Sequence, residues 1–293
     1  VFNPLLLMAG HLWPPHPRGV QAGMGFPGVH PTPIQMLARR AADLDASTEP
    51  SAPADAGLRH FTSVMSLWTE PETAAQTGGR IVIAPADADE VADHCVLLRH
   101  LVRDEPSLVR GPLDRTRQHW IGAGPHELMP SRRPTLARER FTTPRGVSVP
   151  PSTKPFHLGL YTCTAQRNGP GMRRMYLDQG SNLHPRPWHT WELQVADPAA
   201  AVLEITGASE WAAFVGRYPL VHGGAVFPDW DKVAQDYAGV HVTLRAILAT
   251  QGFRFPVKDG LTAPPYWDIE SVLWLRWSFS SIRLVEVTPP SAS

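Results

Sequence analysis

The chain has 293 residues, 43% hydrophobic and only 18% charged, with 10 Trp and 10 Phe. That apolar content excludes wholesale disorder and suits one large domain or two small ones. Its 27 basic and 27 acidic side chains cancel, so no global field attracts nucleic acid or an anionic membrane, and no apolar run approaches the roughly 18 residues that span a bilayer.

The N-terminal apolar run, Leu5 to Ala9, lacks a preceding basic segment and makes a poor signal peptide. Arg outnumbers Lys 24 to 3 beside 31 Pro, a bias that fits a GC-rich bacterium. Cys95 and Cys163 are too few for a disulfide framework or a four-thiolate zinc site, so a reducing, cytoplasmic setting is expected.

Residues 1–56 carry Pro4, Pro14, Pro15, Pro17, Pro27, Pro31, Pro33, Pro50 and Pro53, which interrupt nearly every element. This stretch reads as a disordered extension, with one short helix from Pro33 to about Asp45, and residues 289–293 read as a tail. The folded part, 57–288, reads as one α+β domain. Strands are expected at Leu58 to Leu67 and Arg80 to Ala84, and a helix at Ala88 to Val102 with Val91, Cys95, Leu98 and Val102 on one face. Residues 103–155, rich in Arg and Pro, read as a loop insertion, either solvated or acting as a flap that contacts phosphates.

Beyond Phe156 the pattern sharpens. Strands are expected at Leu158 to Cys163, His189 to Val195, Val202 to Thr206, Gly239 to Thr243, Val272 to Ser278 and Ile282 to Val287. Helices are expected at Gly171 to Leu177, Ser209 to Tyr218, Trp230 to Tyr237 and Leu244 to Thr250. The order argues for α+β, with a split antiparallel or mixed sheet and flanking helices, over a doubly wound sheet.

Several chemistries find no motif. The chain has no phosphate-cradling Gly-Lys-Ser/Thr loop, no GxGxxG opening a helix and no GxSxG elbow. His184 and His189 stand five apart across two prolines, and HExxH is missing, so no metal is expected. Cys163 reads as a buried small hydrophobe rather than a nucleophile. Glu192 and Glu204 alternate with apolar neighbours and read as solvent-facing.

Three segments together resemble the ADP-ribosyltransferase superfamily: Leu58-Arg59-His60-Phe61-Thr62-Ser63, Gly159-Leu160-Tyr161-Thr162-Cys163-Thr164 and Trp267-Asp268-Ile269-Glu270-Ser271-Val272. Their order matches the family, and Tyr237-Ala238-Gly239-Val240-His241 is similar to a late strand entry common in such folds. The resemblance implies an ADP-ribosyltransferase-like fold and an enzyme that cleaves the nicotinamide–ribose bond of NAD, passing ADP-ribose to an unspecified acceptor. It implies Glu270 as the catalytic carboxylate, with Asp268 orienting or deprotonating the acceptor. His60 and Thr62 would hold the adenosine half, with Arg59 beside them as a further substrate-binding residue, and Tyr161, Thr162 and Thr164 would lie beside nicotinamide, with Tyr161 stacked on it.

His60, Tyr161 and Glu270 are thus expected to line one cleft. The chain departs from the family in its Thr-Cys-Thr triplet and in Asp268. The long separation of His60 from Tyr161 leaves Arg138, Arg140 or Arg145 as alternative first-strand ligands. The chemistry is coherent: breaking this bond builds positive charge on ribose, which a fixed carboxylate stabilises. Two alternatives stand beside this reading: a non-catalytic nucleotide- or protein-binding module on the same fold, and an unrelated hydrolase using Cys163 or an acid pair.

Overall fold

The computed structural model describes residues 82–83, 88–93, 95–122, 136–147, 149, 151–155, 158–167, 169–179, 186–196, 200–251, 253–264, 267 and 269–289. The N-terminal extension, the strand expected at 58–67, and Arg59, His60, Thr62 and Asp268 lie outside these residues. The elements begin with β1 (Val82–Ile83), α1 (Ala88–Asp93), α2 (Val96–Asp104), α3 (Pro106–Arg110), β2 (Gln118–Gly122) and β3 (Leu160–Thr164). There follow α4 (Met172–Gln179), β4 (Trp188–Val195), β5 (Val202–Ile205), α5 (Ala208–Arg217), β6 (Pro219–His222), β7 (Ala225–Pro228) and α6 (Trp230–Asp236). The chain closes with β8 (Gly239–Val242), α7 (Leu244–Thr250), β9 (Phe253–Val257), β10 (Gly260–Thr262), β11 (Ser271–Trp274) and β12 (Phe279–Thr288).

These elements make an α+β fold with two mixed sheets. The larger has seven strands in the order β12-β4-β2-β3-β11-β8-β5, and the smaller has five in the order β1-β9-β10-β7-β6. In the larger sheet every neighbouring pair is antiparallel except β5 and β8.

Alternation along the strands divides the larger sheet into two unlike faces. Register places Leu203, Val240, Leu273 and Tyr161 side by side across four strands. This row packs into the main core with Trp211, Phe214, Trp230, Ile247 and Trp267 from the helices and loops. One residue along, Glu204, His241, Val272 and Thr162 form the adjacent row. It faces the other way, toward a smaller core of Leu113, Leu160, Leu193, Trp274 and Phe279.

Side chains lock the helices to the sheets. Thr243 caps α7 by accepting a hydrogen bond from the Ala246 N–H at 3.3 Å, directly after β8. Asp89 of α1 caps a different helix, accepting from the Ala208 and Ser209 N–H groups at 2.7 and 3.0 Å at the start of α5. Arg245 of α7 ties the three together, donating to Asp93 at 2.7 Å and to the Thr206 carbonyl at 2.7 Å.

The insertion expected at 103–155 is not loop alone: it holds α3 and β2, and β2 lies inside the larger sheet between β4 and β3. The polar look of Gln118-His119 concealed a strand whose Gln118 is fully buried. The helix expected at 88–102 is broken, because Cys95 is extended (φ −64°, ψ 113°) and starts α2 anew. Pro256 lies inside β9. Pairing with β1 ends at Arg254, so proline's missing N–H is tolerated on that unpaired edge.

Gly159 enters β3 with φ +69°, and a Cβ there would collide with the Trp274 carbonyl oxygen. Gly159→Ala should therefore lose more than about 2 kcal/mol, combining left-handed strain with displaced backbone. Urea unfolding of the variant against wild type measures this.

Candidate acidic site

The row containing Glu204 and His241 joins two acids to one buried histidine. His241 lies on β8 between two buried valines, Val240 and Val242, and is itself fully buried. Its Nδ1 is 2.5 Å from Glu204 Oε2 on β5, and its Nε2 is 3.0 Å from Glu270 Oε1 just ahead of β11. An ionised carboxylate only accepts hydrogen bonds, so with both acids ionised each ring nitrogen must donate. His241 is then an imidazolium between two carboxylates.

Burial alone would lower the His241 value, but its hydrogen bonds and charge contacts to Glu204 and Glu270 outweigh that, and it rises from 6.5 to about 9. Burial likewise pushes Glu204 up, yet the His241 contact, the Leu113 N–H and the Arg115 charge hold it below the ordinary carboxylate range.

Glu270 is wholly buried and bonded at both oxygens. Beyond His241, it accepts from the Thr164 N–H at 2.9 Å and from the Thr164 hydroxyl at 2.8 Å. Glu204 differs: 29% of its side chain is exposed, while Oε1 accepts from the Leu113 N–H at 3.0 Å. Its other oxygen is hugged by Gly111, where φ is +74° and a Cβ would come within 2.9 Å of Oε2. Glu204 is the one member of this Glu–His–Glu row that a molecule from solvent can touch.

The sequence-derived site divides accordingly. Thr164 and Glu270 meet directly, and Thr162 lies on the same face. Tyr161 does not: it is one residue from Thr162, its side chain packs into the main core, and its hydroxyl donates to the Pro155 carbonyl at 2.9 Å. There it meets Trp267 edge to face at 6.0 Å, with the Lys154 ammonium 5.4 Å from its ring, and burial pushes its phenol well up. Tyr161 and Glu270 therefore occupy opposite faces and cannot line one cleft, which corrects that expectation.

Glu204 is also corrected, since it is partly buried and bonded at both oxygens rather than solvent-facing. Glu192 does face outward, pairing with Arg283 at 2.9 Å. Cys163 is buried, and burial together with the nearby Glu270 charge pushes its thiol up to about 12. It has no thiolate to offer as a nucleophile.

Arg138, Arg140 and Arg145 are exposed, the first two on a 3₁₀ turn rather than a strand. That turn is flanked by Leu136 and Phe141, which pack on the smaller core, so it lies over the same face as Glu204. No group of His, Cys, Asp and Glu among the described residues is arranged to hold a metal ion, and no described helix is long and apolar enough to cross a membrane. Comparison with protein-family models, with curated proteins and with solved structures finds no match.

The pH dependence of stability follows from His241. Its folded value lies above its ordinary one, so its contribution is complete below about pH 6.5 and lost as pH rises through about 9. Unfolding free energy should fall by on the order of 3 kcal/mol across that window. The same urea titrations on His241→Gln should give a nearly flat profile there.

Proposed function

We propose that the protein cleaves the nicotinamide–ribose bond of NAD and transfers ADP-ribose, with Glu204, not Glu270, as the carboxylate that meets the ribose. The observation that carries this is the Glu204–His241–Glu270 row, in which only Glu204 reaches solvent. A buried ion pair contributes little net stability, because desolvation offsets its attraction. Perturbed ionisable groups arranged with one end at the surface are instead characteristic of working sites. An imidazolium behind Glu204 keeps its carboxylate ionised, the state that stabilises a positive charge developing on ribose.

Glu270 acts at one remove in this reading, anchoring His241 while Thr164 anchors Glu270. The exposed Arg138 and Arg140 over the same face suit the NAD diphosphate. The choice of NAD rests on the resemblance of the three segments named above.

A second reading is favoured by a specific observation. Glu270 is buried with both oxygens bonded inside the protein, and Tyr161 is turned away. Both suit a non-catalytic nucleotide- or protein-binding module in which the acid row serves the fold alone.

Incubation with NAD separates the two. Wild type should release nicotinamide, and Glu204→Gln should reduce turnover by about 10²–10³-fold while NAD affinity changes little, since the charge matters most in the transition state. A wild type whose melting temperature rises with NAD but which releases no nicotinamide is the binding module. A wild type that does neither rejects both NAD readings.

A further inference from the structure

The hydrogen bonds behind Glu270 run in one direction, and two groups set it. The Trp274 indole N–H can only donate, and it donates to the Thr162 hydroxyl at 2.8 Å. The Thr162 hydroxyl donates onward to Gln118 Oε1 at 2.6 Å. The Asp114 carbonyl can only accept, and it takes one Gln118 Nε2 hydrogen at 2.8 Å. Both ends therefore agree on how the Gln118 amide is turned. Its second Nε2 hydrogen goes to Thr164 Oγ1 at 3.0 Å, so the one Thr164 hydroxyl proton is left to donate to Glu270.

We propose that Gln118 is a positioning residue of the acid site: it fixes the Thr164 hydroxyl as a donor to Glu270 and, through Glu270 and His241, the charge at Glu204. The proposal rests on Glu204 being the working acid, as read above, and adds residues that touch no substrate. Gln118 is fully buried on β2, opposite Thr164 in the register, so its amide meets Thr164 directly while its bonds to Asp114 and Thr162 hold its orientation. A hydrophobic residue there would leave Thr162 without its acceptor and Thr164 without its donor.

The charged and titratable groups around His241 are Glu204 on β5 and Glu270 ahead of β11, with Arg115 acting on Glu204 and the Cys163 thiol beside Glu270. Turning the Thr164 proton away from Glu270 removes a positive hydrogen from the imidazolium's surroundings. The row then holds its shared proton to higher pH.

The test uses the full chain labelled with ¹⁵N-histidine, the His241 ring being assigned by its loss in His241→Gln. Gln118→Glu replaces the donor with an acceptor, and its carboxylate competes with Glu270 for the Thr164 proton. Loss of the second His241 ring proton should move up by about one pH unit, and Thr164→Val should move it up by less. The double variant should shift by less than the sum, because Gln118 has nothing to position once the hydroxyl is gone. Gln118→Met removes the donor without adding charge; it should move the ring titration slightly upward and serves if Gln118→Glu does not reach the native fold.

The alkaline limb of the NAD turnover rate should move with the ring titration. Additive shifts, or an unmoved ring in natively folded variants, overturn the proposal. A wild type that releases no nicotinamide overturns the enzymatic reading instead, and the ring titration still decides the role of Gln118.

Discussion

An imidazolium held between two carboxylates is the constraint around which the larger sheet is arranged. Two charges of this row leave water altogether and the third is partly covered, and each must be met by a group from a different strand. His241 comes from β8, Glu204 from β5 and Glu270 from the entry to β11, while Thr164 of β3 and the Leu113 N–H saturate the outer oxygens. Removing His241 leaves the buried Glu270 carboxylate without its counter-charge, a far larger loss than the net worth of the intact row. This asymmetry makes the row a strong specifier of structure even where it adds little to stability.

The row also fixes strand register. Leu203, Val240, Leu273 and Tyr161 form an apolar line one residue away from Glu204, His241, Val272 and Thr162. A slip of one residue in β5 or β8 would thrust a charge into the main core and an aliphatic side chain toward the acids. Hydrophobic burial and ion pairing therefore select the same alignment, the mutual consistency expected of a well-specified fold.

Sequence reading located most elements after Phe156, where apolar alternation and helical spacing are clear. It failed where polar residues are buried for a partner's sake. Gln118 looked like loop chemistry because its two hydrogen-bonding threonines are more than 40 residues away. The hairpins β6–β7 and β9–β10 were obscured by their Pro and Gly content. The resemblance pointed to Thr164 and Glu270 singly, one beside the substrate and one as the acid, but not to their contact, and Glu204 and His241 were not joined. The available signal was one ionisable residue amid aliphatic neighbours in each strand, Leu203-Glu204-Ile205 and Val240-His241-Val242. Matching them requires the parallel β5–β8 pairing, which no local pattern encodes.

That pairing has a consequence for the order of assembly. Glu204 and His241 are 37 residues apart, Leu113 and Glu204 91, and Thr164 and Glu270 106. The crossover between β5 and β8 contains α5, the β6–β7 hairpin and α6, so two helices and part of the smaller sheet intervene between the halves of one ion pair. Closing such long loops costs entropy before any contact repays it, and contacts this distant form late. Until then each acid and the imidazole remain hydrated on separate strands. The charges are thus dehydrated only when their partners arrive, so no early intermediate has to carry one of them buried and alone.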